Sequence, residues 1–516
     1  MKMTTKYIAL PEGVSEQQFD QAIAEFRRVL GDEHVLIKPE ELAPNMKIML
    51  PVDTSQHTPS AAILPKSVEQ VQEIVAICNR YKVPVWPVST GRNLGYGSAA
   101  PATRGQVVLD MRLMNRILEV DADLCTALVE PGVTYQQLHD YIREHDLPLW
   151  LSCPAPSAIA GPVGNSLDRG VGYTPYGEHF LFQCGMEVVM PDGDVLRTGM
   201  GSMSNSNTWQ VFKWGYGPSL DGIFTQSNYG IVTKMGMWLM PAPPAFKPFL
   251  IRYPDEVDID KIVETLRPLR IAMIIPNAVV IAHTLWEAGA FVRRSDFYQG
   301  KGSISEEAVG EIRKTHNLGA WNVYAGLYGS PEQIEVNWNI IKGAVEASGG
   351  ELLTEEQVGD SPTFRYRRDL MRGDMNLQEF GLYNWRGGGG SLWFAPVSQA
   401  RGSETLKQMD LAKRILGKYG FDYVGEFIVG WRDMHHVIDL LYDRTNPEET
   451  SKANACFREL IDEFAAQGYG MYRTNTAFMD KVADTYGPVK RKVNQVLKRA
   501  LDPNGIIAPG KSGIYV

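Results

Sequence analysis

Val83-Pro-Val-Trp-Pro-Val88, running directly into Ser89-Thr90-Gly91-Arg92-Asn93-Leu94-Gly95-Tyr96-Gly97-Ser98, is the stretch whose reading decides the fold. An apolar strand-like run ends in a loop with three glycines and three Ser/Thr hydroxyls. Such a loop leaves many backbone N–H groups free to turn toward one ligand, and it suits a phosphate or pyrophosphate. Its spacing is GxxxGxG with no well-patterned helix behind it, so it is not the dinucleotide fingerprint of a doubly wound sheet. From these residues alone an ordinary glycine turn stays open.

Upstream, Val14 to Leu30 has helical periodicity with Ser15 as its cap, and Pro59 to Pro65 reads as a strand. Ser67-Val-Glu-Gln70 has the form of a capping box. Val68, Val71, Ile74, Val75 and Cys78 follow on one face, so the spacing predicts a helix over 66–81. Downstream come short strands at 106–110, 116–120 and 126–129, then a second capping box, Thr134 with Gln137, opening a helix to about His145. A loop rich in Pro, Ala and Gly, 152–161, leads to Val163-Gly-Asn165-Ser-Leu-Asp168-Arg169-Gly170-Val-Gly-Tyr173-Thr-Pro-Tyr176-Gly177, a second glycine-rich stretch with polar tips. Strands at 183–190 and 195–198 flank an Asp192-Gly193 hairpin signal.

Met240-Pro-Ala-Pro-Pro-Ala245 marks a boundary. Beyond it, longer amphipathic helices (about 258–266, 305–316, 332–348, 404–419 and 449–467) alternate with strands at 321–327, 391–397 and 424–429. The last segment opens with a helix over 488–501, its proline suited to a first helical position, and ends in Asp502-Pro-Asn-Gly-Ile-Ile-Ala-Pro-Gly-Lys511-Ser-Gly513. The pattern is α+β: a first part over 1–242, a second α+β part over 243–470, and a return of 471–516 to the first.

The whole-chain properties agree with an enzyme-sized globular protein. At 516 residues it exceeds one ordinary core, and about two to four domains follow from domain-size limits. With 44% hydrophobic residues and 22% charged it is not a disordered chain, and a net charge of -9 argues against nucleic acid or an acidic membrane surface as the main partner. Five scattered cysteines without a CxxC indicate neither a disulfide framework nor a thiolate metal site; they read as small buried apolar residues. The N-terminal Met1 to Pro11 lacks the apolar core of a signal peptide, and the apolar run 271–282 is broken by Pro276 and too short to span a bilayer.

Other clusters weigh less. Gly505 to Ser512 matches the P-loop pattern, but the helix that would bind phosphates cannot follow in four residues, and Pro509 removes a donor. Met434-His435-His436 is a weak metal signal, because neighbours on a strand point to opposite faces; one inward histidine is the better reading. Glu426 sits in the apolar run Gly425-Glu-Phe-Ile-Val429 and is either buried and paired or at a wet edge. For Tyr472-Arg473 a surface ion pair is the default.

The most unusual segment is Leu377-Gln-Glu379-Phe-Gly-Leu-Tyr383-Asn-Trp-Arg386, then Gly387 to Gly390, then Ser391-Leu-Trp393-Phe394. Four glycines in a row are costly to order, so they serve either as slack or to let backbone pass close to something flat. Glu379 and Tyr383 share a face only if this segment is helical, which the glycines discourage.

Taken together, the Ser89 loop, the Val163–Gly177 loop, the C-terminal Asp502–Gly513 run and the Phe380–Phe394 signature resemble, over nearly the whole chain, the para-cresol methylhydroxylase flavoproteins of the vanillyl-alcohol oxidase group. The resemblance implies a two-domain FAD-binding fold with an α+β cap. It implies FAD held by Ser89, Thr90, Gly91, Arg92, Asn93, Gly95, Gly164, Asn165, Asp168, Gly170 and Lys511, and bonded covalently through the Tyr383 phenolic oxygen. Tyr96, Tyr472 and Arg473 match the family's phenolate-binding trio. Glu379, Glu426, His435 and Asp439 are candidates to activate water, and Trp393 is a candidate electron relay or docking contact. The implied reaction takes a para-alkylphenol through a quinone methide to the alcohol and then the aldehyde, with electrons passing to a c-type cytochrome subunit in a heterotetramer built on a flavoprotein dimer. Such a partner implies a periplasmic setting, in tension with the missing signal peptide. Ser391 stands where the group's oxidases have a flavin-bearing histidine, and 152–162 lacks their carboxylate. Both departures favour the cytochrome-coupled branch over an oxygen-using alkylphenol oxidase. A non-catalytic electron-transfer or flavin-storage protein is the rival of another class.

Overall fold

The computed structural model describes residues 6–155 and 158–516; the start of the N-terminal stretch and residues 156–157 of the 152–161 loop lie outside it. The first sheet is small. Its order is Val35–Leu36, Ala61–Ile63, Val107–Asp110, Val85–Val88, with the last three parallel. Strands buried on both faces read as continuous apolar runs, and Ala61, Ile63, Val85, Val107 and Leu109 are all buried with the helices Glu16–Leu30 and Val68–Tyr81 packed beside them. Ser15 and Gln18 form a reciprocal capping box; at Ser67 only half of one forms, because Gln70 accepts instead from the Lys66 N–H.

The C-terminus completes this layer. Val85 donates to the Ile506 carbonyl and accepts from Ala508, so 506–508 lies alongside the strand that feeds the Ser89 loop. That return is pinned by Lys498, a fully buried ammonium. It donates to the carbonyls of Asn228 and Ile507 and to Asp502 at 2.6–2.7 Å.

An antiparallel five-stranded sheet follows, in the order Ile117–Asp121, Thr126–Val129, Ile231–Trp238, Gln183–Val189, Val195–Arg197. The helix Tyr135–Glu144, with its full Thr134–Gln137 box, buries Leu138 and Ile142.

The largest element is an antiparallel eight-stranded sheet. Its main path is Glu351–Thr354, Ala245–Tyr253, Trp321–Gly329, Val279–His283, Gly425–Val429, Asp433–Tyr442, Gly390–Phe394, and Val397–Gln399 pairs off the path with Asp433–Tyr442. Alternation sorts its residues. Ile281, Val323, Phe427, Val429, Ile438, Leu440, Leu392 and Phe394 pack into a core with Ile262, Met409 and Phe457 from the helices Ile259–Ile271, Gly402–Tyr419 and Pro447–Ala466. Ala282, Tyr324, Ile428, Val437, Leu441 and Trp393 belong to the opposite face and join the core of the five-stranded sheet. The helix at 259–271 runs five residues past its sequence reading, through Pro268, since its buried stripe continues to Leu269 and Arg270. Cys78, Cys153, Cys184 and Cys456 are buried as read, while Cys125 is half-exposed. Among the described residues no helix is long and apolar enough to cross a membrane.

Lys498→Met removes the cation from a buried pair and leaves Asp502 behind. We expect about 3 kcal/mol of destabilisation, read as a lower urea midpoint.

Candidate active site

The Ser89 loop folds as three left-handed glycines allow: Gly91, Gly95 and Gly97 have φ of 65°, 73° and 110°. Tyr96 and Ser98 both donate to the Asn93 carbonyl, which curls the loop tightly. It forms one wall of a cleft with about 1280 Å³ of empty space, part of it continuous with solvent. Ser89, Thr90, Gly91, Arg92, Asn93, Gly164, Asn165, Asp168 and Lys511 all line it, with Val163, Ile231 and Ile507 as apolar walls. The close approach of the second glycine-rich stretch explains Gly164: a Cβ there would lie 2.3 Å from Ser89 Oγ. Asp168 is paired with Lys511 at 2.8 Å and faces Asn93 at 3.4 Å. Burial opposes its charge, but Lys511 and Arg473 outweigh it and hold the carboxyl below its ordinary value. Apolar walls, a turn with many N–H groups, and a lysine beside the loop suit a dinucleotide with its flat ring inside. Gly95 and Gly170 do not line the cleft. Gly170 backs the Asn165 side chain, and Gly95 lies against Trp393.

A second chamber, with about 770 Å³ of empty space that includes open solvent, shares Arg92, Asn93, Tyr96, Ala160, Asn165 and Arg473 with the cleft. Tyr173, Glu379, Phe380, Tyr383, Trp393, Glu426, Ile428 and Tyr472 are among its other lining residues. Arg473 donates to Asn93 Oδ1 at 2.6 Å and lies 4.2 Å from the Tyr96 ring centroid. Tyr472 stacks on His435 at 4.4 Å. Tyr472-Arg473 is therefore no surface pair; its cation faces two half-buried phenols, Tyr96 and Tyr472, whose pKa values desolvation pushes up.

The segment Gln378–Asn384 is a 3₁₀ helix, contrary to the sequence expectation, and it places both Glu379 and Tyr383 on the chamber. The glycines interfere less than expected because they begin three residues after its end. Gly387, Gly388 and Gly389 all take left-handed φ, of 77°, 63° and 70°, and Arg444 Nε donates to the Gly388 carbonyl. This ordered turn returns the chain to the strand Gly390–Phe394, and Trp393 Nε1 comes to 3.4 Å from the Tyr383 hydroxyl. Burial, reinforced by Asp439, holds the Tyr383 phenol well above its ordinary pKa. Asp439 lies beside Ser391, whose hydroxyl donates to it at 2.6 Å, and burial pushes its carboxyl up to about 7.

Glu426 is buried, not at an edge: its strand runs between Val279–His283 and Asp433–Tyr442. His435 and Asp439 do not line the chamber. His435 stands behind Tyr472 in a neighbouring cavity with Glu178, Arg270 and Asp433, and its neighbour His436 points the other way, bonded to the Tyr423 hydroxyl at 2.8 Å.

The sequence reading missed Tyr173, Phe380, Arg367 and Glu287. Tyr173 sat within a quoted loop, and its aromatic bulk amid glycines was the available signal. Arg367 was hidden in Arg365-Tyr-Arg-Arg368, which reads as a solvated helix face, yet its side chain is 1% exposed and bonds both Glu287 and Glu426 at 2.8 Å.

Comparison with known proteins agrees with this geometry. Residues 59–199 match the family described as FAD binding domain, and 396–512 match FAD linked oxidases, C-terminal domain. The chain is an FAD-dependent oxidoreductase. It is 61% identical over 507 residues, 98% of this chain and 97% of the relative, to the 4-cresol dehydrogenase [hydroxylating] flavoprotein subunit of Pseudomonas putida, and it belongs to that family. The crystal structure of p-cresol methylhydroxylase with substrate bound superposes with a TM-score of 0.97 at 60% identity, covering 98% of this chain and 99% of that one. A 4-ethylphenol oxidase from Gulosibacter chungangensis, in an isoeugenol complex, gives 0.96 at 38% identity with the same coverage.

Gly95→Ala would place a methyl 2.1 Å from Trp393 at a residue with φ of +73°. The backbone alone should cost about 1–2 kcal/mol, and Trp393 should leave Tyr383. A lower unfolding midpoint with altered tryptophan fluorescence is the expected result.

Proposed function

We propose that this chain oxidises para-alkylphenols of the para-cresol type and passes the electrons to a c-type cytochrome subunit. One observation carries the reading: a half-buried guanidinium, Arg473, beside two half-buried phenols in a chamber that shares a wall with the FAD cleft. Hydride loss from a benzylic carbon needs electron supply from the ring, and a phenolate supplies it far better than a phenol with a pKa of about 10. Arg473 stabilises the anion by charge while the Tyr96 and Tyr472 hydroxyls donate to it, in a site where few waters compete. Bound FAD supplies the two-electron acceptor for the hydride.

The quinone methide so formed takes water at its benzylic carbon and becomes the 4-hydroxybenzyl alcohol; a second oxidation gives the aldehyde. Of the four candidate bases, Glu379 and Glu426 line the chamber, whereas His435 stands behind Tyr472 and Asp439 behind Ser391. Tyr383 is the flavin attachment residue in this reading. Its phenol, in contact with Trp393 and near Asp439, has a base at hand for its proton. Trp393 then offers a route for electrons leaving the ring. The organisation follows the same reading, with the FAD part over 1–242 and 471–516, the cap over 243–470, and a flavoprotein dimer within a heterotetramer.

An oxygen-using alkylphenol oxidase is the second reading, favoured by the likeness to the 4-ethylphenol oxidase. Ser391 and the absence of a carboxylate over 152–162 argue for the dehydrogenase.

Arg473→Met should lower kcat/KM for 4-methylphenol about 100- to 1000-fold. Its residual rate should climb with pH toward the phenol pKa of about 10; a variant with unchanged rate and pH profile would refute the phenolate reading. Protein made with a c-type cytochrome partner should keep yellow fluorescence after denaturation, and Tyr383→Phe should lose it. With wild-type protein, cytochrome reduction should outrun peroxide release; the reverse order establishes the oxidase.

A further inference from the structure

Five separate elements meet behind the wall of the chamber. The helix Pro362–Arg372 brings Arg367 and Tyr366, the short helix Thr284–Gly289 brings Glu287, and the strand Trp321–Gly329 brings Tyr324. The strand Gly425–Val429 brings Glu426, and the 3₁₀ helix brings Glu379. All six side chains are buried. Arg367 Nη2 donates to Glu287 Oε1 and to Glu426 Oε2, each at 2.8 Å, while Nε reaches the same Glu287 oxygen at 3.2 Å. Glu287 is held from its other side: the Tyr324 hydroxyl donates to Oε2 at 3.0 Å and Tyr366 lies 3.4 Å from Oε1. Arg367 and Glu287 do not line the chamber; Glu426 and Glu379 do.

The charges do not balance. One guanidinium faces three carboxyls, and a buried carboxylate without a partner is costly enough to take up a proton instead. Glu287 and Glu426 have direct bonds to Arg367. Glu379 has none, and its Oε2 is buried without a hydrogen-bond partner among the described residues, as is Arg367 Nη1. Around these two glutamates the other titratable or charged groups are Arg92, Tyr96, Tyr173, Tyr472, Arg473, Tyr383 and Asp439, with His435 beyond Tyr472. Arg473 and Arg92 are the fixed cations among them; Arg92 is exposed, and in the proposed reaction the substrate's phenolate takes the charge of Arg473.

We propose that Arg367, braced by Glu287, is a positioning residue that divides the chamber's two glutamates into a base and an acid. Glu426 is kept as the carboxylate that takes a proton from the incoming water, and Glu379 stays protonated. The inference rests on the function proposed above and deepens it. In the step concerned, the water oxygen forms a C–O bond at the benzylic carbon of the quinone methide. The electron pair of the exocyclic C=C bond moves into the ring and restores the phenolate at Arg473, while the O–H pair that breaks leaves its proton on Glu426. No further oxidant or reductant is needed. Glu379 as a neutral acid donates a hydrogen bond into the chamber without adding a second negative charge beside the phenolate. Burial pushes both carboxyls up; the charge of Glu426 pushes Glu379 further, whereas Arg367 draws Glu426 back toward ionisation.

The test uses the flavin-loaded protein. In infrared difference spectra of resting enzyme, a protonated-carboxyl stretch should vanish in Glu379→Gln and persist in Glu426→Gln. Arg367→Met alone strands two buried charges and is prone to misfold, so the informative variant is Arg367→Met/Glu287→Gln, which removes one charge of each sign. It should gain a second protonated-carboxyl band, lost on adding Glu426→Gln. Because the base works only when ionised, losing the cation should move the acid limb of the pH–rate profile up by about 1–3 units; Arg367→Lys should restore it. A folded, flavin-loaded double variant with an unmoved limb and no new band overturns the assignment. The infrared arm needs no substrate, so failure of wild-type enzyme to oxidise any para-alkylphenol would instead overturn the function on which the inference rests.

Discussion

Everything in the site depends on the two-residue alternation of three adjacent strands, Gly390–Phe394, Asp433–Tyr442 and Gly425–Val429. Their even-handed pleat sends Phe427, Ile438, Leu392 and Phe394 into the helix-covered core. The residues between them, Glu426, Ile428, His435, Val437, Asp439, Ser391 and Trp393, are left facing the FAD part. Burying the first set provides the energy that keeps the second in register, because slipping any strand by one residue would exchange the faces and put Glu426 and Asp439 among phenylalanines. The core and the chemistry are the two sides of one sheet.

The electrostatics follow from that placement. A sheet face closed off by another layer has little water, so each ionisable group there needs a partner or a proton. Arg473 finds Asn93 and two phenols, Glu426 and Glu287 find Arg367, and Asp168 finds Lys511. Among the described residues Glu379 and Asp439 have no cation bonded to them, and burial pushes both up. The fixed positive charge of the chamber is thereby concentrated at Arg473, on the wall shared with the cleft, while Glu379 and Asp439 sit away from it.

Local patterns were legible in the sequence wherever a local physical rule applied. The Thr134–Gln137 box, the Pro488 start, the Ser89 glycine loop and the one-face spacing of 68–78 all formed as read, because caps, turns and amphipathic faces are decided within a few residues. Gathering Tyr96, Glu379, Tyr383, Glu426, Tyr472 and Arg473 into one chamber needed the resemblance to a family, since nothing local relates residues nearly 400 positions apart. What stayed illegible has a common cause. Arg367 and Glu287 look like ordinary helix-surface charges in sequence, and their burial comes from the packing of two helices against a sheet whose strands lie far off in the chain. The 3₁₀ helix at 378–384 is masked in the sequence by the glycines that begin just past its end. Gly170 and Gly95 make room for Asn165 and Trp393, a packing role that their place in glycine-rich loops does not reveal.

The left-handed run Gly387–Gly389 has a consequence for how this chain can vary in length. Tyr383 and Trp393 are ten residues apart in sequence and 3.4 Å apart in space, so the turn between them is the short arc of a closed loop. A Cβ at Gly388 would fall on the Asp443 carboxylate, and Gly390 already presses on Tyr442, so the arc has no slack on its inner side. One inserted or deleted residue there would rotate the strand that follows by half a pleat and send Trp393 into the helix core. Length variation that surface loops ordinarily tolerate is therefore closed to this one, and its four glycines act as a fixed gauge between the tyrosine and the sheet.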